Sequence, residues 1–172
     1  MEAPEFTTER LRFRSFRKTD FDASFELWAD PEIYHHLMGR PCSPEECWSR
    51  VLRYAGHWNW FGYGYWAIED KATGAFIGEM GFADFHRAIE PPLGNRIETG
   101  WILASRMHRR KLGTEALQAM LRWGDGNLPS RELAAIIAPE NLASARLAER
   151  AGFIKSHTTV YNGDTTLVFH RN

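Results

Sequence analysis

A short basic segment near the middle of the chain has the composition of an anion-binding site. Arg106–Lys111 holds three arginines, one lysine and one histidine. The preceding stretch, Thr99–Ala104, is apolar and β-branched, which predicts a strand. After the segment, apolar residues recur at helical spacing, at Leu112, Ala116, Met120 and Trp123. The sequence therefore predicts a basic turn (106–111) between a strand and a helix.

The start of a helix is a favourable place for a phosphate group. About four backbone N–H groups there have no partner within the helix, and the aligned peptide dipoles make that end electropositive. The cations of the basic turn would converge with those amides, as a diphosphate requires. Gly113 would let such a ligand approach the first helical turn closely. The alternative is that the basic turn is only a solvated surface.

Length and composition place the chain among ordinary globular proteins. The 172 residues are 44% hydrophobic and 25% charged, and they predict one domain over residues 1–172. The net charge of −1 argues against general binding to nucleic acid or to a membrane surface. Cys42 and Cys47 match neither a redox pair nor a zinc site. We therefore expect reduced thiols, no metal, and a cytoplasmic protein without a secretion signal or membrane span.

Flanking patterns predict the elements that would position the basic turn. Before the central strand we expect a strand at 10–16, helices at 21–29, 31–37 and 44–56, and a hairpin at 65–69 and 75–83. The loop 84–95 follows; its sequence specifies no chemistry, although Asp84, His86 and Glu90 could face an amine. After the turn, the helix ends within 124–129, and we expect a strand at 133–138, a helix at 142–151 capped by Asn141, and a hairpin at 153–160 and 165–170. Pro139 removes a backbone donor, so strand pairing should stop near it.

Five segments, in this order, resemble the GCN5-related N-acetyltransferases, the GNAT family. They are Glu98-Thr-Gly-Trp-Ile-Leu103, the basic turn, Leu112-Gly-Thr-Glu-Ala116, Pro139-Glu-Asn-Leu-Ala-Ser144 and Glu149-Arg-Ala-Gly-Phe153. Within the family the likeness is to the branch that includes the bacterial acetyltransferases of ribosomal-protein N-termini, which act on alanine or serine. The resemblance extends from Leu11 to Phe169.

The resemblance implies an α/β protein with the GNAT fold. The central sheet would be mixed and mostly antiparallel, splayed between its fourth and fifth strands, with helices on both faces. The pantetheine arm of acetyl-coenzyme A (acetyl-CoA) would lie between the parted strands and pair with the earlier one as an added strand does. The residues implied to bind it are Trp101, Ile102, Leu103, Arg106, His108, Arg109, Arg110, Lys111, Leu112, Gly113, Thr114, Asn141 and Ser144.

The basic turn departs from the phosphate-binding pattern of the family. That pattern has Gln or Arg, two residues, Gly, one residue, and Gly or Ala, whereas this chain reads His108-Arg-Arg-Lys-Leu-Gly113. Lys111 stands where glycine is expected, and Arg109 occupies a position that is often glycine. Because helical backbone at negative φ does not demand glycine, we expect both side chains to point outward while the amides still bind.

The implied reaction moves the acetyl group of acetyl-CoA to a primary amine, either a protein N-terminus or a small amine. A base must first remove the proton of the ammonium form. Glu98 is the first candidate and Glu79 the second, and the alternative for Glu98 is an ordinary carboxylate at a strand end. Many family members protonate the leaving thiolate with a tyrosine, but Ala148 stands at that position, which leaves Ser144. A backbone N–H near Leu103 would stabilise the oxyanion.

The aromatic stretch 57–66 is the expected acceptor side of the site. Of its large rings, Trp58, Trp60, Phe61 and Trp66, we expect two to be core. By analogy with the family, Trp60 and Tyr63 would bind the acceptor, together with Glu79.

Two other functions compete with this interpretation. One is a non-catalytic acyl-CoA-binding or regulatory module, which Lys111 and Ala148 favour. The other is nucleic-acid binding through the basic turn, which lacks support from a second basic patch. A homodimer through the C-terminal hairpin is a further expectation from the resemblance.

Overall fold

The computed structural model describes residues 2–172, which form one eight-stranded sheet and five α-helices. The strands are β1 (Phe6–Thr7), β2 (Leu11–Arg14), β3 (Tyr65–Asp70), β4 (Phe76–Ala83), β5 (Ile97–Leu103), β6 (Leu133–Ile137), β7 (Ile154–Tyr161) and β8 (Asp164–Arg171). The helices are α1 (Phe21–Ala29), α2 (Pro31–Tyr34), α3 (Pro44–Phe61), α4 (Leu112–Asn127) and α5 (Leu142–Arg150). The extent of the domain, residues 1–172, stays a prediction.

The sheet is antiparallel except at one pair of strands. Its order is β1-β2-β3-β4-β5-β6-β8-β7, and only β5 and β6 run parallel. They pair at Ile97↔Leu133 and Glu98↔Ala134 and then separate, although β5 stays paired with β4 as far as Leu103. The predicted splay is confirmed, since these strands correspond to the fourth and fifth of the sequence-based prediction.

The splay begins earlier than the sequence suggested. The last β5–β6 pair includes Ala134, whereas the proline expected to stop the pairing is Pro139. The remaining residues of β6 pair with β8 up to Ile137. The missing N–H of Pro139 is therefore not the cause of the separation, and that part of the prediction was wrong.

Helices cover both faces of the sheet, as predicted. On one face, Trp28 of α1 and Tyr54 of α3 donate hydrogen bonds to Glu79 of β4 at 2.8 and 2.7 Å. On the opposite face, Phe82 of β4 packs against Trp123 of α4 with ring centroids 6.2 Å apart. Strand alternation thus separates an α1–α3 face from an α4–α5 face.

Helix α3 is longer than predicted because the glycine inside it does not end it. The helix passes through Gly56 and stops at Phe61, where Gly62 caps it with a φ of +71°. At its start, Ser43 and Glu46 form a reciprocal capping box. The longer helix sets the direction of the aromatic side chains that follow Gly56.

Other boundaries differ by a few residues. The strand predicted at 10–16 corresponds to β2, which spans only Leu11–Arg14. The two-residue strand β1 was not predicted. Of the four large rings in the stretch 57–66, two are core, as predicted. Trp58 and Trp66 are buried, whereas Trp60 and Phe61 are exposed.

Candidate active site

A cavity of about 640 Å³ opens where β5 and β6 separate. It is lined by segments distant in sequence: Glu98–Ile102 on β5, Ala135–Ala138 on and after β6, Asn141 and Ser144 at α5, His35–Gly39 after α2, Arg50, Arg53 and Tyr54 on α3, and Tyr161–Thr166 of the terminal hairpin. We call it the wedge cavity. It brings together predicted residues of the central strand and of the last helix.

The β5 wall of the wedge cavity exposes backbone as well as side chains. Beyond Glu98 the strand has no β6 partner, so the N–H and C=O groups on that edge are available to an extended ligand. The register with β4 places Gly100 opposite Gly81 on the α1–α3 face, with Thr99 and Trp101 facing the other way. The Oγ1 of Thr99 is buried and has no hydrogen-bond partner within residues 2–172.

Gly100 is required by a close approach from β3. A Cβ atom at this position would lie 2.0 Å from the hydroxyl oxygen of Tyr65, which is well inside van der Waals contact. The ring of Tyr65 is stacked on Tyr54 at 4.3 Å between centroids. The aromatic floor of the wedge cavity is therefore fixed by packing, and it depends on glycine at position 100.

The basic turn adopts a backbone conformation that the sequence analysis did not expect. Arg109 has a φ of +60° and Lys111 a φ of +61°, both in the left-handed region that favours glycine. The expectation of negative φ at these positions was wrong. Lys111 is the N-cap residue of α4 and supplies no side-chain cap. At Arg109 and Lys111 the turn thus has the left-handed backbone that glycine favours, although neither residue is glycine.

Three hydrogen bonds attach the turn to its surroundings. His108 Nε2 lies 2.9 Å from the Leu103 carbonyl oxygen, and Arg106 donates to the Phe76 carbonyl at 3.0 Å. Arg10 donates to the Arg110 carbonyl at 3.1 Å. Two of the residues predicted to bind the cofactor, Arg106 and His108, therefore hold the turn against β4 and β5. Both are exposed, as are Arg109 and Lys111.

Gly113, in the first turn of α4, is not demanded by protein packing. A Cβ atom there would lie 3.4 Å from Leu147 Cδ2 and 3.8 Å from Leu103 Cδ1, which are ordinary contacts. The same part of α4 includes the predicted cofactor residues Leu112 and Thr114, of which Leu112 is buried.

Asn141 caps α5, as predicted; its other predicted role is to bind the cofactor. Its side-chain oxygen accepts a hydrogen bond from the Ser144 N–H at 3.0 Å, and both residues line the wedge cavity. Ala148, one turn after Ser144, is fully buried. Ser144 is therefore the hydroxyl that α5 presents to the cavity.

Glu98 is held in an ion pair with a residue that the sequence analysis missed. Both of its oxygens accept hydrogen bonds from Arg87, at 2.6 and 2.7 Å, and Glu98 is only 6% exposed. Arg87 also donates to the Tyr161 hydroxyl at 3.2 Å. The sequence analysis considered other residues of this loop but not Arg87, so only the folded chain reveals this pair.

The Arg87–Glu98 pair lies between two cavities. Both residues line the wedge cavity and also a second cavity of about 500 Å³, formed by 83–87, 92–98 and Tyr63. Tyr63 is buried and belongs to this second cavity. Trp60 is 81% exposed and lines neither of them. The structure therefore does not bring the predicted acceptor residues Trp60 and Tyr63 together.

Glu79 lies beneath the wedge cavity and not in its wall. It is fully buried and accepts hydrogen bonds from Ser24, at 3.0 Å, and from Trp28 and Tyr54. Burial raises the pKa of Glu79, and the three hydrogen bonds only partly offset this effect. Its position serves to fasten α1 and α3 to β4.

Neither a membrane span nor a metal cluster is found within residues 2–172. No helix there is long and apolar enough to cross a membrane, and no group of three His, Cys, Asp or Glu side chains is placed to hold a metal ion. Cys42 and Cys47 are buried free thiols.

Comparison with known proteins identifies the family. Residues 10–154 match the acetyltransferase (GNAT) domain. The chain belongs to the GNAT acetyltransferase family. This result confirms the resemblance seen in the sequence, and the GNAT fold explains the single parallel pair of strands from which the wedge cavity opens.

Individual GNAT relatives cover nearly the whole chain. The protein YkkB of Bacillus subtilis is 29% identical over 162 residues, which are 90% of this chain and 87% of YkkB. The uncharacterized N-acetyltransferase p20 of Bacillus licheniformis is 26% identical over 149 residues, 86% of this chain and 81% of p20. An acetyltransferase from Agrobacterium tumefaciens, solved by crystallography, is 28% identical with a TM-score of 0.83, and the match covers 98% of this chain and 94% of that one.

A more distant GNAT structure shares the fold alone. The ribosomal-protein acetyltransferase RimL, solved in complex with coenzyme A, is 19% identical with a TM-score of 0.74, and the match covers 99% of this chain and 97% of RimL. Together these relatives support an N-acetyltransferase.

The raised pKa of Glu79 predicts a specific pH dependence of stability. The folded state binds the proton of the Glu79 carboxyl more tightly than the unfolded chain does. The protonated carboxyl therefore contributes its full stabilisation below the unfolded pKa, about 4.3, and this stabilisation is lost as the pH rises through the folded pKa. Compared with Glu79→Gln, which cannot titrate, the wild-type free energy of unfolding should fall over that range, by about 1.4 kcal/mol for every pH unit between the unfolded and the folded pKa.

Urea unfolding of both proteins between pH 4 and pH 8 measures this difference. Glu26→Gln, at an exposed position on α1, is the matched control for the substitution itself. A wild-type stability that rises relative to Glu79→Gln as the pH increases would contradict the assignment.

Proposed function

We propose that the protein is an acetyl-CoA-dependent N-acetyltransferase that transfers the acetyl group directly to a primary amine. The observation that carries the proposal is the wedge cavity, because the separation of β5 from β6 leaves strand-edge groups open along one wall. Acetyl-CoA binding is supported by the related fold of RimL, which was solved with coenzyme A. The acceptor is a protein N-terminus or a small amine, and we place the enzyme in the cytoplasm, where free buried thiols persist.

The residues of this chain fit acetyl-CoA in two parts. The pantetheine arm would pair with the open edge of β5 at Trp101–Leu103, with Asn141 nearby on the other wall. The diphosphate would bind at the N-terminus of α4, where no side chain of the N-cap residue competes for the amides. Arg109, Arg110 and Lys111 would add positive charge to that end.

The reaction requires that the amine lose a proton and that the thiolate gain one. The amine nitrogen attacks the carbonyl carbon of the thioester, the carbon–sulfur bond breaks, and coenzyme A leaves as a thiolate. An alkyl ammonium, with a pKa of about 10, must first be deprotonated. We assign that role to Glu98, because it lines the wedge cavity whereas Glu79 is sealed by three donors. Once attached to the carbonyl carbon, the nitrogen must lose a second proton, and Ser144 would relay it: its hydroxyl donates a proton to the thiolate and takes up the proton that the nitrogen releases.

A non-catalytic acyl-CoA-binding module is the alternative function. It is favoured by the position of Ala148, which is buried and offers no hydroxyl to a thiolate. The two functions are separated by turnover: an enzyme releases free coenzyme A thiol from acetyl-CoA when an amine is supplied, whereas a binding module only gains thermal stability from acetyl-CoA. The homodimer also remains a proposal, which sedimentation of the purified chain would test.

The left-handed backbone of Lys111 predicts that shape and charge contribute separately to cofactor binding. Lys111→Gly and Lys111→Val remove the same charge, but only glycine adopts positive φ without a penalty, which is about 1–2 kcal/mol for other residues. The Kd of acetyl-CoA, measured by calorimetry, should therefore be roughly tenfold higher in Lys111→Val than in Lys111→Gly. Equal Kd values would show that only the charge matters.

Glu98 as the base predicts a loss of activity that depends on pH. Glu98→Gln should lower kcat by about 10²–10⁴-fold near neutral pH, and the loss should shrink toward pH 10, where the free amine forms without help. Arg87→Gln, which removes the ion pair but keeps the carboxylate, is the control and should retain more activity. A loss that is equal in both variants at every pH would mean that the ion pair itself, and not proton removal, is what matters.

Ser144 as the proton donor predicts a smaller effect, since a thiolate leaves with little help. Ser144→Ala should lower kcat by less than about 10²-fold, the low end of general-acid catalysis, with little change in the KM for acetyl-CoA. Ser144→Thr keeps the hydroxyl and should be nearly as active as the wild type. A kcat of Ser144→Ala that matches the wild type across the pH range would remove Ser144 from the mechanism.

A further inference from the structure

Three arginines stand together along one side of the wedge cavity. Arg50 and Arg53 lie one turn apart on α3 and so share a helix face. Arg87, from the loop after β4, lines the same cavity. We call these three residues the arginine wall.

Aromatic rings hold the members of the arginine wall in place. The guanidinium of Arg50 lies 3.5 Å from the ring centre of Trp28. Arg53 and Arg87 lie 4.8 and 4.9 Å from the ring centre of Phe85. Ring contacts of this kind fix the position of a guanidinium without neutralising its charge.

Two of the three arginines have no carboxylate partner. Arg87 is paired with Glu98, but within residues 2–172 neither Arg50 nor Arg53 makes a salt bridge. The Nε of Arg50 is buried without any hydrogen-bond partner in that range. Desolvation lowers the pKa of Arg53, and repulsion from Arg50 and Arg87 lowers it further. Desolvation also acts against the charge of Arg50, but attraction from Tyr54 and Glu79 outweighs it and raises the pKa of Arg50. Both guanidinium groups thus carry a charge without a carboxylate partner, which leaves them available to an anion.

Apart from Glu98, which pairs with Arg87, the carboxylates around the cavity do not offset the arginine wall locally. Glu79 attracts Arg50 at longer range, but its oxygens already accept three hydrogen bonds. The remaining acidic residues of the lining, Glu140 and Asp164, belong to the β6 and hairpin side. Positive charge therefore accumulates on the α3 side, which is the α1–α3 face of the sheet.

That face is also the one from which the amine must arrive. Glu98 and Gly100 pair with Ala83 and Gly81 of β4 on the α1–α3 face, whereas α4, with its basic turn, lies on the opposite face. A donor anchored at α4 leaves the α3 side of the cavity to the acceptor. The arginine wall is then part of the acceptor site.

Resting on the proposed transferase function, we propose that the acceptor is a primary amine that also carries a carboxylate, and that Arg50 and Arg53 bind this carboxylate. A guanidinium pair recognises a planar anion through charge-assisted hydrogen bonds. The same pair repels cationic groups, so polyamines and other polycationic amines should be poor acceptors. A free amino acid and the N-terminus of an acidic peptide both supply the required chemistry.

Matched acceptors test this inference with the full-length wild-type protein and acetyl-CoA. One arm compares free amino acids of increasing chain length, from glycine to γ-aminobutyrate, with their carboxamides. The second arm compares N-terminal peptides with Asp or Asn at the second position. Release of coenzyme A thiol should show a kcat/KM at least about tenfold higher for the anionic member of each pair, and the arm with the higher value identifies the source.

Arginine variants localise the recognition. Arg53→Gln should raise the KM for the anionic acceptor about tenfold or more and leave that for the matched amide unchanged, while Arg53→Lys keeps part of the preference. Arg50→Gln should change the two KM values in the same way. Arg53 is the more exposed residue, so Arg53→Gln remains informative if Arg50→Gln folds poorly. Arg122→Gln, at an exposed position on α4, is the control and should change neither KM.

The outcomes separate this inference from the proposed function. If amides react as well as the carboxylates, or if Arg53→Gln raises both KM values equally, the anionic-acceptor inference is wrong while the transferase function stands. If no acceptor in either arm releases thiol and acetyl-CoA does not raise the melting temperature, the proposed function fails as well.

Discussion

The structure depends on a constraint in the middle of its sheet, where two strands begin as neighbours and then separate. β5 and β6 share only two residue pairs, yet on their other edges β5 pairs with β4 from Glu98 to Leu103 and β6 pairs with β8 along its whole length. The sheet therefore stays continuous enough to support a core on both faces while one internal edge is left open. Unpaired backbone groups at such an edge are costly unless water or a ligand satisfies them. A site for an extended ligand is thus a direct consequence of the strand pairing.

The same constraint explains why the two sides of the site have different chemistry. The donor side is built from α4 and α5, whose contributions are helix termini and exposed cations. The acceptor side is built from α1 and α3, which Glu79 fastens to β4 through hydrogen bonds from both helices. Close packing at Gly100, which the Tyr65 hydroxyl requires, brings the acceptor side down onto β5. The cavity joins the two sides only where β5 and β6 have parted.

Much of this organisation could be predicted from the sequence, because local patterns specify it. The order of helices and strands follows from hydrophobic periodicity and capping residues, and the splay followed from the resemblance. Within the site, the capping role of Asn141 was readable from its place before an amphipathic segment. These features depend on neighbours within a few residues along the chain.

The errors occurred where distant residues decide the outcome. Continuation of α3 through Gly56 places Trp58 and Trp60 about 200° apart around the helix, so one is core and the other exposed. The sign of φ at Lys111 is imposed by the path of the turn between β5 and α4, which overrides the preference of a lysine. The Arg87–Glu98 pair joins a loop to a strand, and no local pattern announces such a contact.

Arginines elsewhere in the fold show that this chain can neutralise a buried guanidinium where the role is structural. Arg14, only 3% exposed, donates to Asp20 at 2.7 and 2.8 Å and to Glu69 at 2.5 Å. Two carboxylates thus surround one cation, which is how a buried charge is stabilised within a protein. Arg50 and Arg53 are supported by rings instead, and within residues 2–172 neither makes a salt bridge, although Arg50 donates a hydrogen bond to the Met38 sulfur at 3.7 Å. Arg50 is half-buried and Arg53 is exposed, so both can reach a ligand beside the parted strands, and their charge-assisted hydrogen bonds suit the acceptor carboxylate proposed above.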